Sequence, residues 1–144
     1  MLNVDIKTNY FWSFYHIGSS KLYLKGVLYS HTVSNILDII KSISKKDVAN
    51  FINSLDGHFA IVVQKEKFTF IAVDKIRSTP IFFTTIDDSY YIYSNPTNLV
   101  DKKGFKKSVN EDAVLEFSMS GYTIGNKTLF NNLHSLKAGE LVIF

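Results

Sequence analysis

Thirteen carboxylates, four histidines and no cysteine bound the chemistry that this chain can carry. Without a thiol there is no disulfide, no thiolate metal site and no cysteine nucleophile. His16, His31, His58 and His134 lie far apart and none sits in a ligand motif, so neither a metal nor another cofactor is expected. Asp87 and Asp88 adjoin Ser89 between two apolar runs, a place that suits a turn better than an acid/base pair. Asp74 stands apart from the other acids, because it closes an apolar run and precedes Lys-Ile-Arg-Ser-Thr-Pro. There it is expected to brace the loop to Pro80, with Arg77 as a charge partner, rather than to act on a substrate. The aromatic run from Tyr10 to Tyr15 offers stacking faces to a ligand or nucleic acid. With Trp12 between Phe11 and Phe14, core packing or a partner interface is the stronger expectation.

These residues need elements to hold them. Two apolar runs of strand length, Phe59 to Val63 and Phe68 to Val73, flank Lys65-Glu66-Lys67, which predicts a central hairpin. Neither run alternates cleanly, so both faces should be covered. Gly57 permits a tight backbone approach into the first strand, and Pro80 fixes φ where the next begins. Before the hairpin, residues 10–29 read as a strand pair around Gly18-Ser19-Ser20, with Gly26 marking a bulge or a close approach. Val33, Ile36, Leu37, Ile40 and Ile43 recur at helical spacing after a Thr32 or Ser34 cap. Ser44 to Asp47 reads as a capping-box variant opening a second helix that Gly57 ends, so helices occupy 32–55.

Past the hairpin, Ile81 to Ile86 and Tyr90 to Ser94 form another strand pair, completing a central sheet over 58–94. Asn110 caps a helix with Glu111 and Asp112 in its first turn and Gly121 as its stop. Ala113, Val114, Phe117 and Met119 are its expected core face. A closing strand ends the 110–144 segment. Two successive helices feeding a sheet predict a layered α+β domain, and no linker divides residues 1–144.

Composition narrows the class. Of 144 residues, 46% are hydrophobic and 15% aromatic, which excludes a disordered chain. The net charge of +3 is mild and its lysines are scattered, so nucleic acid is not an expected partner. No apolar run approaches the roughly 20 residues that cross a bilayer, and the N-terminus lacks a leader pattern. A cytoplasmic protein without membrane contact is the expectation.

Four stretches resemble the N-terminal glutaminase domain of the asparagine synthase family, the class II glutamine amidotransferases. Leu55-Asp56-Gly57-His58-Phe59-Ala60 is similar to its Leu-x-Gly-x-Phe-Ala approach to a core strand. Asp74 with Pro80-Ile81-Phe82-Phe83 resembles its Arg-Asp-x-x-Gly-x-x-Pro-Leu-Tyr loop. Tyr91-Ile92-Tyr93-Ser94, followed by Leu99, resembles the strand end before its Ser-Glu. Gly121-Tyr122, Thr128-Leu129-Phe130, Leu136 and Gly139-Glu140-Leu141 resemble its closing pattern. The motif positions retained are thus Gly26, Gly57, Asp74, Pro80, Ser94, Gly121 and Gly139. The resemblance implies an N-terminal-nucleophile-hydrolase-like αββα sandwich, two antiparallel sheets between helices, truncated here on the N-terminal side.

In that family an N-terminal cysteine attacks glutamine, and the ammonia passes to an ATP-dependent synthetase domain. This chain begins Met1-Leu2-Asn3, and Lys25-Gly26-Val27 stands where the family has Asn-Gly-Glu. The asparagine lost there is an oxyanion donor of a kind typically worth about 3 kcal/mol of barrier. Val73 replaces the loop's arginine and Arg77 its glycine, and the Gly-Ser-Asp that holds the substrate amine has no counterpart before Phe51. No Ser-Gly-Gly-x-Asp-Ser pyrophosphatase loop occurs either. The expectation is a degenerate domain with no catalytic residue of its own, docking onto an asparagine-synthase-like synthetase domain or chain. Two alternatives stand beside it: a residual amidohydrolase exposing Thr8 or Ser13 after processing, and a stand-alone protein-interaction module. A homodimer is a further option.

Overall fold

The computed structural model describes residues 1–7 and 11–144. The fold is mixed α+β, with two sheets and four helices among the described residues. The chain divides into two compact units, Thr8–Thr79 with Ala138–Phe144 and Met1–Lys7 with Pro80–Lys137.

The first unit is built on a five-stranded antiparallel sheet. Its strands are β2 (Ser13–Ile17), β3 (Ser20–Leu28), β4 (Gly57–Gln64), β5 (Thr69–Val73) and β9 (Leu141–Ile143), in the order β2-β3-β4-β5-β9. Helices α1 (Val33–Ser42) and α2 (Val48–Ser54) supply Ile36, Ile40, Val48, Phe51 and Ile52 to a core shared with Phe59, Ile61, Val63, Phe70 and Ala72. Ala60, Val62, Ile71 and Val73, on the opposite face, are buried too. That double burial explains why neither hairpin strand alternates. Each fully buried Ile or Phe contributes about 1.5–3 kcal/mol over an exposed one, so the hairpin is the energetic centre of this unit.

Local signals act as expected at α1, where Thr32 caps the start by accepting from the Asn35 N–H at 3.3 Å. The far end has a cap that the sequence did not announce. Lys65, beside the hairpin turn, places its ammonium against the last carbonyls of α1 and donates to Ile40 O at 2.6 Å and Ile43 O at 3.1 Å. A cation there opposes the negative end of the helix dipole. Burial pushes the Lys65 pKa below the usual lysine value.

The second unit contains a four-stranded sheet in the order β1-β7-β6-β8, with β1 at Leu2–Asp5, β6 at Phe82–Ile86, β7 at Ser89–Tyr93 and β8 at His134–Ser135. A one-turn helix α3 (Thr97–Val100) follows β7, and α4 spans Glu111–Ser120. Ile86, Tyr93, Leu99, Phe105 and Leu133 form its core. Asn110 Oδ1 accepts from the Ala113 N–H at 3.0 Å, and Gly121 closes α4 at φ 79°.

Several expectations are corrected. The strands between residues 58 and 94 do not form one central sheet: β4 and β5 belong to one sheet, β6 and β7 to the other. The four-stranded sheet is not purely antiparallel, because β1, unforeseen in a short polar-edged segment, runs parallel to β7. The N-terminal hairpin starts at Ser13, while Tyr10 lies outside the described residues and Phe11 is 90% exposed. Ser44 donates its hydroxyl to Asp47 rather than capping a backbone N–H, and a 3-10 turn (Lys45–Asp47) intervenes before α2. Gly57 does not end α2, which stops at Ser54; it opens β4 at φ 143°. Of the four apolar residues assigned to the core face of α4 only Ala113 is buried. Val114, Phe117 and Met119 are exposed instead, so apolar residues at helical spacing do not mark a buried face in this helix.

Candidate functional site

Strands β3 and β4 meet where Gly26 pairs with Phe59, Val27 with His58 and Leu28 with Gly57. The two glycines make this junction possible. A Cβ at Gly26, whose φ is +108°, would lie 1.9 Å from His58 O, and one at Gly57 would lie 2.2 Å from Val27 O. Backbone packs on backbone here, a closeness that only glycine allows.

The carboxylate of Asp74 sits beside this junction. It closes β5 at 3% exposure and accepts from the N–H groups of Phe59 (3.0 Å), Ile76 (2.9 Å) and Ser78 (3.1 Å), and from the Ser78 hydroxyl. Burial pushes its pKa up, but the Ser78 hydroxyl and the three backbone N–H groups outweigh it and hold the carboxyl below its ordinary value. Asp74 O in turn accepts from Gly139 N at 2.8 Å and Arg77 N at 3.0 Å. Asp74 therefore braces the loop as expected, through backbone amides and a serine that the sequence reading did not single out. Asp74-x-x-x-Ser78 has the look of a local side-chain turn, which was the signal available.

Two concavities flank this knot. One, of about 490 Å³, opens over Gly26 between Lys25, Tyr29, His58, Ser78 and Thr79. The other, of about 210 Å³, lies along Tyr29, Leu55, His58, Asp74 and Gly139. Tyr29 and His58 stand edge to face at 5.9 Å and line both. The wall over Gly26 offers one ammonium, one imidazole and three hydroxyls, a set able to hold a polar ligand.

The retained motif positions fall into two groups. Gly26, Gly57, Asp74 and Gly139 converge in the five-stranded unit. Pro80, Ser94 and Gly121 belong to the other, where Pro80 precedes β6, Ser94 Oγ accepts from Lys7 N at 3.3 Å and Gly121 ends α4. The histidines stay separate: His16 contacts Phe14, His31 hydrogen-bonds Ser30, and His134 contacts Phe83. Among the described residues no group of three or more His, Cys, Asp or Glu is placed to hold a metal ion. Thr8 lies outside the described residues, and Ser13 is exposed on β2. No described helix is long and apolar enough to cross a membrane.

A further tether escaped the sequence reading. Glu116 on α4 accepts from Lys127 and from the Ile124 N–H at 2.9 Å, and that amide, ahead of Lys127, holds its pKa below the ordinary value. Glu116→Gln is expected to speed hydrogen exchange at the Ile124 amide several-fold near neutral pH, read by amide NMR, with other amides of the unit unchanged.

A family profile described as a glutamine amidotransferase domain matches residues 24–144, beginning inside β3 two residues before Gly26. No curated protein matches the chain.

Proposed function

The chain belongs to the glutamine amidotransferase domain family, and from that premise we propose that it is a non-catalytic member that docks onto an ATP-dependent amide-forming synthetase of the asparagine synthase type, in the same polypeptide or a separate one. The observation that carries this reading is the outward face of α4. Leu115, Phe117 and Met119 are 61%, 50% and 79% exposed, and Tyr122, Ile124 and Leu129, in the segment after Gly121, are exposed as well. An exposed patch of that kind is costly to leave in water and marks a surface made to be covered.

The chemistry of the junction supports the non-catalytic half. None of the 144 residues is a cysteine, and Gly26 is flanked by Lys25 and Val27, neither of which carries a side-chain amide. Gly26 and Gly57 are needed by the close approach of β3 and β4 themselves. The scaffold has its own reason to keep them without glutamine chemistry.

The test has two readouts. Purified protein incubated with glutamine is expected to release no more ammonia than a no-protein control, and release above that level overturns the non-catalytic reading. A synthetase bearing Ser-Gly-Gly-x-Asp-Ser, encoded in the same or an adjacent reading frame, is expected to co-purify with the wild type. Phe117→Asp, at an exposed position that leaves folding intact, is expected to weaken that association at least tenfold. Undiminished association would remove α4 from the interface.

A further inference from the structure

At the end of the five-stranded sheet away from Gly26, three connections come together. The Gly18-Ser19 turn joins β2 to β3, the Lys65–Phe68 turn joins β4 to β5, and α1 ends at Ser42. Between them opens a cavity of about 920 Å³, within the range of roughly 300–1,000 Å³ usual for small-molecule sites. Its walls carry four lysines, Lys41, Lys45, Lys65 and Lys67, against a single carboxylate, Glu66.

The lysines are not equivalent. Lys41 is paired with Asp38 at 2.7 Å. Lys65 is spent on the carbonyls of Ile40, Lys41 and Ile43, and in doing so covers the negative end of α1 that would otherwise repel an anion. Lys45 and Lys67 are exposed and have no partner among the described residues. The cavity wall also holds a hydroxyl with no partner among the described residues. Ser20 is 6% exposed, and its Oγ makes no hydrogen bond among the described residues. A serine hydroxyl that keeps its donor free on a cavity wall is placed to bond a group that enters from outside.

We propose that this cavity binds a small molecule through a diphosphate group, with Lys45 and Lys67 as its charge partners and Ser20 Oγ as a hydrogen-bond donor. Each phosphate group is negatively charged at neutral pH, so a diphosphate presents one anionic group to each of the two free ammonium groups, where a single carboxylate would bring one charge for both. Ile17, Ile43 and Phe68 give the same cavity an apolar side that a nucleoside or another organic substituent could cover. The site shares no residue with the Gly26 junction or the α4 face, and does not depend on the proposed docking role.

Calorimetric titrations of the whole protein with pyrophosphate, with ADP and with adenosine test the site. Saturable one-to-one binding of pyrophosphate and ADP, with none of adenosine, is expected. Equal affinity of the two identifies the inorganic group as sufficient, and ADP at least tenfold tighter identifies a nucleotide as the source; both support the site. The Lys45→Glu/Lys67→Glu variant is expected to bind at least tenfold more weakly, while Lys102→Glu/Lys106→Glu, in the other unit, stays within twofold. Ser20→Ala is expected to bind about threefold more weakly with an unchanged or raised melting temperature. No saturable binding, or an equal loss in the two double variants, overturns the proposal. Tighter binding of a single-stranded oligonucleotide than of ADP, falling steeply with salt, overturns it in favour of a nucleic-acid surface.

Discussion

Gly26→Ala is expected to cost about 3 kcal/mol or more and to lower the urea midpoint by more than about 1 M, given m-values of roughly 1–3 kcal/mol/M for small domains. The methyl group would arrive 1.9 Å from His58 O and 2.9 Å from His58 C, both backbone atoms that cannot swing aside. Relief requires β3 and β4 to part at the Gly26–Phe59 pair, which also disturbs the Phe59 amide that Asp74 accepts. Gly18→Ala is the control: its φ of +60° is also left-handed, but nothing lies within 4 Å of the new Cβ. That substitution should cost only the conformational penalty, about 1–2 kcal/mol. If both variants lose the same amount, the close approach is not what holds Gly26 in place.

The contrast between these glycines shows what a sequence carries and what it leaves out. Gly18 and Gly26 look alike on paper, a turn and a bulge, and only the pairing of β3 with β4 separates a steric requirement from a conformational one. The central hairpin was legible because double burial leaves a mark in every residue of Phe59–Val63 and Thr69–Val73. The caps at Thr32 and Asn110 were legible because a cap is local. The division of β4–β5 and β6–β7 between two sheets was not, since two hairpins close in sequence carry no sign of which neighbour each will take. Strand β1 was missed for the same reason: four residues, Leu2–Asp5, gain their partner only through β7, some ninety positions away. The outward face of α4 was not legible because apolar residues at helical spacing do not say whether another element packs over them. At the candidate site, Asp74 was readable from its place at a strand end, whereas its amide partners belong to the backbone and leave no residue type to find. Arg77 adds a further case. It stands where the resemblance places a glycine, and its φ of 54° is the conformation that a glycine would supply.

Asp74→Asn is expected to destabilise the protein by about 3 kcal/mol at neutral pH, more than any single hydrogen bond is worth. The wild-type carboxylate uses both oxygens, with Oδ1 accepting from Ile76 N and Oδ2 from Phe59 N, Ser78 N and the Ser78 hydroxyl. An asparagine of the same shape keeps one oxygen and turns an NH2 group toward N–H donors, leaving buried amides with no acceptor. Ser78→Ala removes one donor and no acceptor, so about 1 kcal/mol is expected there. The pH dependence separates the charge from the shape. The folded-state pKa lies below the unfolded value of about 3.9. The carboxylate's contribution is therefore complete above that value and is lost as pH falls through the folded pKa, because the unfolded chain takes the proton first. The gap between the urea midpoints of wild type and Asp74→Asn, measured from pH 7 down to about pH 3, should be constant at first and begin to narrow below about pH 4. A gap that stays constant across that range would show that the carboxylate acts by shape alone. The loop from Asp74 to Ser78 forms part of the wall of both concavities beside Gly26, so the same variant should loosen whatever either of them holds.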